Sequence, residues 1–262
     1  MRRHGRYLWA PPESGPNGPV ELGGRESRHL LVVRRALPGD RLELFDGRGR
    51  AWEAELVAGR GGRAECRIVG ELPGGGGVRW PLTLATAVPR GKRMAWLVEK
   101  CAELGAAGLW PVAWGRSVRS GSAGAVGRWR RLAEAAAKQS RQARLMEVAE
   151  PVTGAELAGR LEEFGRVLVL EPAGGGALRG ALADLAPGAP LLALVGPEGG
   201  LTASDLAPLE TAAVAGPGLL RRVTLGPAVL RVETAAVALA AAVLAEGLGS
   251  DSHRRAAEDA ER

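Results

Sequence analysis

Cysteine is almost missing from this chain. Cys66 and Cys101 are the only two in 262 residues, and each sits in an apolar-patterned segment, so the expectation is two buried thiols and no disulfide framework. Histidine is as scarce, with only His4, His29 and His253, and no Cys/His group has the spacing of a zinc site; no metal is expected. Long apolar runs are lacking too. The longest, Ala235 to Ala245, spans 11 residues, against the roughly 20 needed to cross a bilayer, so it reads as a buried helix and no membrane association is expected. The N-terminus carries Arg2, Arg3 and Arg6 but then runs into Leu8-Trp9-Ala10-Pro11-Pro12, without the apolar core of a signal peptide, which predicts a cytoplasmic protein.

What is present is ordinary in bulk and uneven in detail. Apolar residues at 46% and charged ones at 24% match globular averages, and 39 Gly with 17 Pro follow no collagen-like period. The length suits one large domain or two modest ones. The formal charge of +6 divides into +3 over residues 1–78, +8 over 79–150 and −5 over 151–262. Such a basic middle suits a polyanion, and nucleic acid better than an anionic membrane, because Lys and Arg gain affinity by releasing phosphate counterions. Only Lys92, Lys100 and Lys138 are lysine, so a compositional bias toward Arg, Ala and Gly would leave the same excess. Five of the 7 tryptophans, Trp80, Trp96, Trp110, Trp114 and Trp129, fall in the basic middle, where indoles can stack unpaired bases. Trp96 and Trp110 lie in apolar patterns and are expected in the core.

From Arg41 to Val69 the pattern is short and strand-like: Leu42 to Phe45 alternates, Asp46-Gly47-Arg48-Gly49 turns, and Trp52 to Leu56 and Ala64 to Ile68 follow, predicting a small β domain. Pro73 to Gly77 lacks the Lys-Ser/Thr of a phosphate loop and reads as a linker. Beyond it, strand and helix patterns alternate. Leu82 to Val88 is strand-like, Met94, Leu97, Val98, Cys101 and Ala102 share a helix face, and further strands are expected at 109–113, 167–170, 191–195 and 222–225. Helix patterns near 127–143, 153–163, 202–212 and 229–246 separate them, which predicts an α/β fold with a mostly parallel sheet. Gly249 to Arg262 is polar and expected to fray.

Ligands of open α/β sheets sit beyond the carboxyl ends of strands, and two loops there stand out. Gly196-Pro197-Glu198-Gly199-Gly200 follows an apolar strand and precedes Thr202-Ala203-Ser204-Asp205, a helix-starting capping box. Its glycines let backbone approach a ligand closely, leaving N–H and C=O groups to pair with an adenine edge or a ribose. The second loop runs from Leu225-Gly226-Pro227-Ala228 through Val229-Leu230-Arg231-Val232 to Glu233-Thr234-Ala235. Arg231 and Thr234, three residues apart at a helix start, suit an anion or a polarised carbonyl. Taken alone, the first loop is better read as a plain turn feeding a helix, and the second as surface charges at Arg231 and Glu233 with Thr234 as a cap.

Together, in this order, the two loops resemble the signature of the ribosomal small-subunit methyltransferase E family, in the SPOUT class of trefoil-knotted methyltransferases. Arg90-Gly91-Lys92-Arg93-Met94 with Glu99 to Gly105 resembles the first helix of that family's catalytic domain, and His29-Leu30-Leu31-Val32-Val33-Arg34 with Pro38-Gly39-Asp40 resembles its PUA-like β-barrel. The resemblance covers all but the tail. It implies a PUA-like barrel over 1–73, a linker over 74–80, a deeply knotted SPOUT domain over 81–247 and a tail over 248–262. It also implies S-adenosylmethionine held by Leu170, by Gly196, Pro197, Glu198, Gly199 and Gly200, and by Leu225, Gly226, Leu230 and Thr234. RNA would be contacted by His29, Arg34, Arg90, Lys92, Arg93, Gln139 and Arg144. The partners implied are a second copy of the chain and 16S ribosomal RNA, naked or in the assembled small subunit, with methylation at N3 of one uridine of the decoding region. The chain departs from the family at Lys138-Gln139-Ser140-Arg141, where Glu-Gln, a small residue and then Gly are more usual, and this bears on substrate contacts more than on the cofactor.

Methyl transfer from a sulfonium needs no metal, only an in-line nucleophile held close. Uridine N3 must lose its imide proton, so Arg231 is the expected stabiliser of charge on O2 or O4, and Glu198 or Glu233 the expected proton acceptor, with neither preferred. The alternatives are a non-catalytic dimeric RNA-binding protein on the same fold and a dinucleotide oxidoreductase. The last lacks the G-x-G-x-x-G fingerprint.

Overall fold

The computed structural model describes residues 3–11, 18–72, 78–116, 123–172, 174–214 and 219–260, with side chains described up to residue 248. The chain divides into two compact units, Met1–Gly77 with Ala135–Leu145 and Val78–Glu134 with Met146–Arg262. The expected linker at 73–77 lies outside the described residues.

In the first unit, β1 (Arg3–Leu8), β2 (Val20–Glu21), β3 (Arg41–Phe45), β4 (Ala51–Arg60) and β5 (Arg63–Leu72) form one sheet in the order β1-β3-β4-β5-β2. The β1–β3 pair is parallel and the others antiparallel. Among the described residues no pairing closes this sheet into the expected barrel. A short helix, α1 (Gly24–Arg28), runs into a π-helical turn at His29–Val33. Alternation supplies the core: Leu42, Leu44, Ala54 and Leu56 point inward with Tyr7 and Trp52, all at most 2% exposed. A second cluster joins Phe45 and Ala51 to Ala143, with Leu145 packed against it, which ties the late segment to the sheet.

The second unit is built on β6 (Leu82–Thr86), β7 (Gly108–Ala113), β8 (Glu147–Val148), β9 (Val152–Thr153), β10 (Arg166–Leu170), β11 (Gly176–Ala177), β12 (Leu191–Val195) and β13 (Leu220–Thr224). Their order is β11-β13-β10-β12-β6-β7-β8, with β9 also on β7, and every pair is parallel. Parallel strands covered on both faces must be apolar throughout, and β6 and β12 are buried at every position. The helices are α2 (Arg93–Glu103), α3 (Ala123–Ser140), whose residues from Ala135 onward belong to the first unit, α4 (Gly154–Ala158), α5 (Leu178–Leu182), α6 (Ala203–Ala213) and α7 (Val232–Ala260). On α2 the buried residues are Met94, Leu97, Val98, Cys101 and Ala102, the face read from the sequence.

Three expectations change. The pattern at 153–163 forms only the five-residue α4, capped at its start by Thr153 and Glu156, and a 3-10 turn at Leu161–Glu163. The helix expected at 127–143 stops at Ser140, where Arg141 takes φ 61°. The stretch expected to fray continues α7 to Ala260, through Gly249 to His253, for which helix propensity gives no account.

Candidate cofactor cleft

The carboxyl ends of β13, β10 and β12 are neighbours in the sheet, and a cleft of about 370 Å3 opens beyond them. Leu170, Glu171 and Pro172 line it from the end of β10, the Val195–Glu198 stretch with Gly200 from the end of β12, and Leu225, Gly226 and Leu230 from the loop after β13. Glycine is required at several of these points. A Cβ on Gly196 would stand 2.9 Å from the Leu201 side chain, and Gly200 and Gly226 hold φ of 74° and 130°. Just beyond β10, a Cβ on Gly175 would stand 2.4 Å from the carbonyl carbon of Val223, so one stretch of backbone there lies directly against another.

Asp205 fixes the glycine loop from behind. It completes the capping box of α6 with Thr202, and its other carboxylate oxygen accepts the Gly115 N–H at 2.8 Å. Burial works to raise its pKa, but the hydrogen bonds from Thr202 and Gly115 outweigh burial and hold it below the usual carboxylate value. The next residue, Arg116, donates from its guanidinium to the Gly199 carbonyl, while its Cδ would lie 3.2 Å from a Cβ on Gly199. The loop after β7 is thereby latched to the loop after β12. The sequence reading missed Arg116 and this role of Asp205; the only signal was a charged residue directly after an apolar strand end.

Of the ten residues expected to hold cofactor, Leu170, Gly196, Pro197, Glu198, Gly200, Leu225, Gly226 and Leu230 line the cleft, and Gly199 and Thr234 do not. Glu198 is exposed within it. Arg231 is exposed between the lining residues Leu230 and Val232 without lining the cleft itself. Glu233 is 7% exposed and turned elsewhere: Oε1 lies 3.6 Å from the Arg93 guanidinium, and Oε2 has no hydrogen-bond partner among the described residues. Arg90, Lys92 and Arg93 are exposed after β6, whose carboxyl end borders that of β12 through the Ala87 N–H to Val195 carbonyl bond at 3.0 Å.

The remaining expected RNA contacts, His29, Arg34, Gln139 and Arg144, lie exposed on the first unit. Arg144 pairs through its backbone with the Gly47 and Arg48 turn. Two tryptophan expectations separate. Trp110 is in the core at 5% exposure, whereas Trp96 is 43% exposed: its neighbours Leu97 and Val98 take the buried face and leave the indole outside. Trp80, Trp114 and Trp129 are buried and offer no stacking surface. Both cysteines are buried, and burial pushes their thiols up to about 12. Among the described residues there is no cluster of three potential metal ligands, and no helix is long and apolar enough to cross a membrane.

Parallel strands ending in a glycine-lined cleft, in a chain that also carries a small sheet unit, have close counterparts. Residues 78–244 match the family model of an RNA methyltransferase domain, and residues 22–69 that of an RNA methyltransferase PUA domain. The protein is therefore of the RNA methyltransferase class with an appended PUA domain. It is 34% identical over 251 residues to ribosomal RNA small subunit methyltransferase E of Mycobacterium bovis, an alignment covering 90% of this chain and 89% of the relative. Among solved structures, the Neisseria gonorrhoeae ribosomal RNA small subunit methyltransferase E bound to S-adenosyl methionine is 28% identical, with a TM-score of 0.77 over 91% of this chain and 95% of that one. The putative methyltransferase Lpg2936 of Legionella pneumophila, in complex with the cofactor SAM, is 25% identical with a TM-score of 0.76 over 92% and 96%. The chain belongs to the ribosomal RNA small subunit methyltransferase E family.

Proposed function

We propose that this protein is an S-adenosylmethionine-dependent methyltransferase acting on N3 of a uridine in small-subunit ribosomal RNA. The observation that carries the reading is the cleft itself: three adjacent parallel strands end in loops whose glycines expose backbone to a space of about 370 Å3, within the few hundred Å3 typical of small-molecule sites. Its apolar walls suit an adenosine, and the closely approaching backbone of the Gly196–Gly200 loop suits the edges of a purine and a ribose. When bound, S-adenosylmethionine supplies a methyl group on a sulfonium.

The chain's own residues then have three tasks. The latch of Arg116 and Asp205 holds the glycine loop in its binding shape. Glu198, exposed in the cleft, accepts the N3 proton directly or through water, a role for which it is better placed than Glu233, which is buried against Arg93. Arg231, exposed at the rim, donates to the uracil oxygen on which negative charge grows as the proton leaves. Loss of one such donor costs about 100- to 1000-fold in kcat. Arg231→Ala is therefore expected to lose methyl transfer by about that factor while calorimetry shows cofactor affinity unchanged; normal turnover would remove Arg231 from the mechanism. N3-methyluridine in the RNA product, read by mass spectrometry of nucleosides, tests the position, and methylation elsewhere on the base refutes it.

The same reading includes a trefoil knot in the second unit and a homodimer, for which exposed Trp96 and Val229 offer apolar surface. RNA contacts are assigned to Arg90, Lys92 and Arg93 after β6 and to His29, Arg34, Gln139 and Arg144 on the first unit. The substrate places the work in the cytoplasm.

A further inference from the structure

The first unit encloses a second cavity, of about 270 Å3, that the methyl-transfer chemistry does not use. Cations outnumber carboxylates in its lining: Arg6, Arg34, Lys138 and Arg141 against Glu43 and Glu53. Some of this charge is already answered, since Lys138 donates to buried Glu26 at 2.7 Å and Arg141 lies 3.8 Å from Glu43. Several donors are not. Arg34 is exposed, and no ion pair engages its guanidinium among the described residues. Arg6 gives one guanidinium nitrogen to the Arg141 carbonyl and keeps a buried Nε without an acceptor. Tyr7 is fully buried, and its hydroxyl has no hydrogen-bond partner among the described residues. That hydroxyl and the Arg34 Nη2 each lie 3.8 Å from the place where a side chain on Gly5 would begin, and Gly5 lines the cavity. Burial pushes the Tyr7 phenol up to about 12, so it is a donor throughout the physiological range.

The backbone adds an independent observation. Among the described residues only two besides glycines hold positive φ, Arg35 at 52° and Arg141 at 61°. One lines the cavity and the other follows Arg34, which does. Glycine would adopt this conformation without strain, so Arg141 bears a backbone cost that a binding role of its side chain would offset.

We propose that this cavity grips a phosphodiester of the RNA strand, with Arg34, Arg141 and Arg6 as donors, as a hold on substrate separate from the methyl-transfer cleft. A phosphate oxygen supplies an acceptor for half-buried Arg6 and for Arg34, which line the cavity, and an arginine fork suits it geometrically. The inference rests on the reading of the protein as an RNA methyltransferase. It adds Arg6 and Arg141 to the contacts expected from sequence and joins them to Arg34 and Gln139.

Arg141→Gly is the decisive variant, because it removes the side chain and relieves the strained φ together. The full-length variant is expected to melt at or above the wild-type temperature and to bind S-adenosylmethionine with unchanged affinity by calorimetry. Its affinity for a single-stranded fragment of small-subunit ribosomal RNA, followed by fluorescence anisotropy, is expected to fall about tenfold, with the slope of log K against log salt reduced by about 0.7. Arg34→Ala is expected to behave alike. Unchanged RNA affinity and salt slope in both variants would overturn the proposal, as would an inorganic phosphate site lost in Arg141→Gly with RNA binding intact. If the wild type binds no S-adenosylmethionine, the broader reading fails, and that result is separate from the RNA comparison.

Discussion

Single residues carry constraints here that composition conceals. Gly175 is one of 39 glycines, yet a methyl group there would meet the Val223 carbonyl carbon at 2.4 Å, a contact that only movement of backbone can relieve. Gly175→Ala is expected to destabilise the protein by about 2 kcal/mol or more, measured as a lower denaturation midpoint; a midpoint unchanged from wild type would show that the two segments separate easily. Asp205 sets a pH dependence. Its folded pKa lies below the ordinary value, so the stabilisation it brings is present at neutral pH and is lost as pH falls through the folded pKa. Asp205→Asn is therefore expected to lower Tm at pH 7 and to differ less from wild type with each step into acid. A gap that stays constant down to pH 3 would refute the assignment.

At the scale of elements, function depends on which loops are tied together. Arg116 and Gly115, at the end of β7, hold the loop after β12 through the Gly199 carbonyl and Asp205. Arg116→Met keeps much of the aliphatic stem and removes the donor, so cofactor affinity is expected to fall about tenfold, the equivalent of roughly 1.4 kcal/mol, with little change in Tm. Equal affinity by calorimetry would mean that the latch is ornamental. Much of this architecture was readable beforehand. The apolar runs at 82–88, 109–113, 167–170 and 191–195 are strands because parallel strands bury both faces, and the two loops at 196–200 and 225–230 announced the cleft. Unreadable were the elements too short for a period to show, such as β8, β9 and β11, and the latch, whose members lie 83 residues apart. Trp96 was misplaced because apolar identity does not say which face of a helix a bulky residue occupies. Arg141 stands where the family it resembles more usually has Gly, and that departure was the sign that it holds a glycine conformation.

At the scale of the whole molecule, both thiols are sealed in, Cys66 in one unit and Cys101 in the other. Each is pushed up to about 12 by burial, so each contributes stability that is full below the ordinary thiol pKa and is lost as pH rises toward 12. Native protein at pH 8 is expected to resist iodoacetamide and to take up two labels only after denaturation. Fast labelling of one cysteine in the native state would identify the unit that opens more readily.

The segment Ala135–Leu145 belongs with the first unit although it is encoded after Val78–Glu134, and its Ala143 and Leu145 pack on Phe45 and Ala51. This has a consequence for synthesis. A nascent chain emerging N-terminus first at about 5–20 residues per second presents every strand of the first sheet seconds before the piece that covers Phe45. Through that interval the early unit is an unfinished surface, open to a chaperone or to another nascent chain. The order of translation, and not only the order of strands, thus decides when this protein first becomes safe from its neighbours.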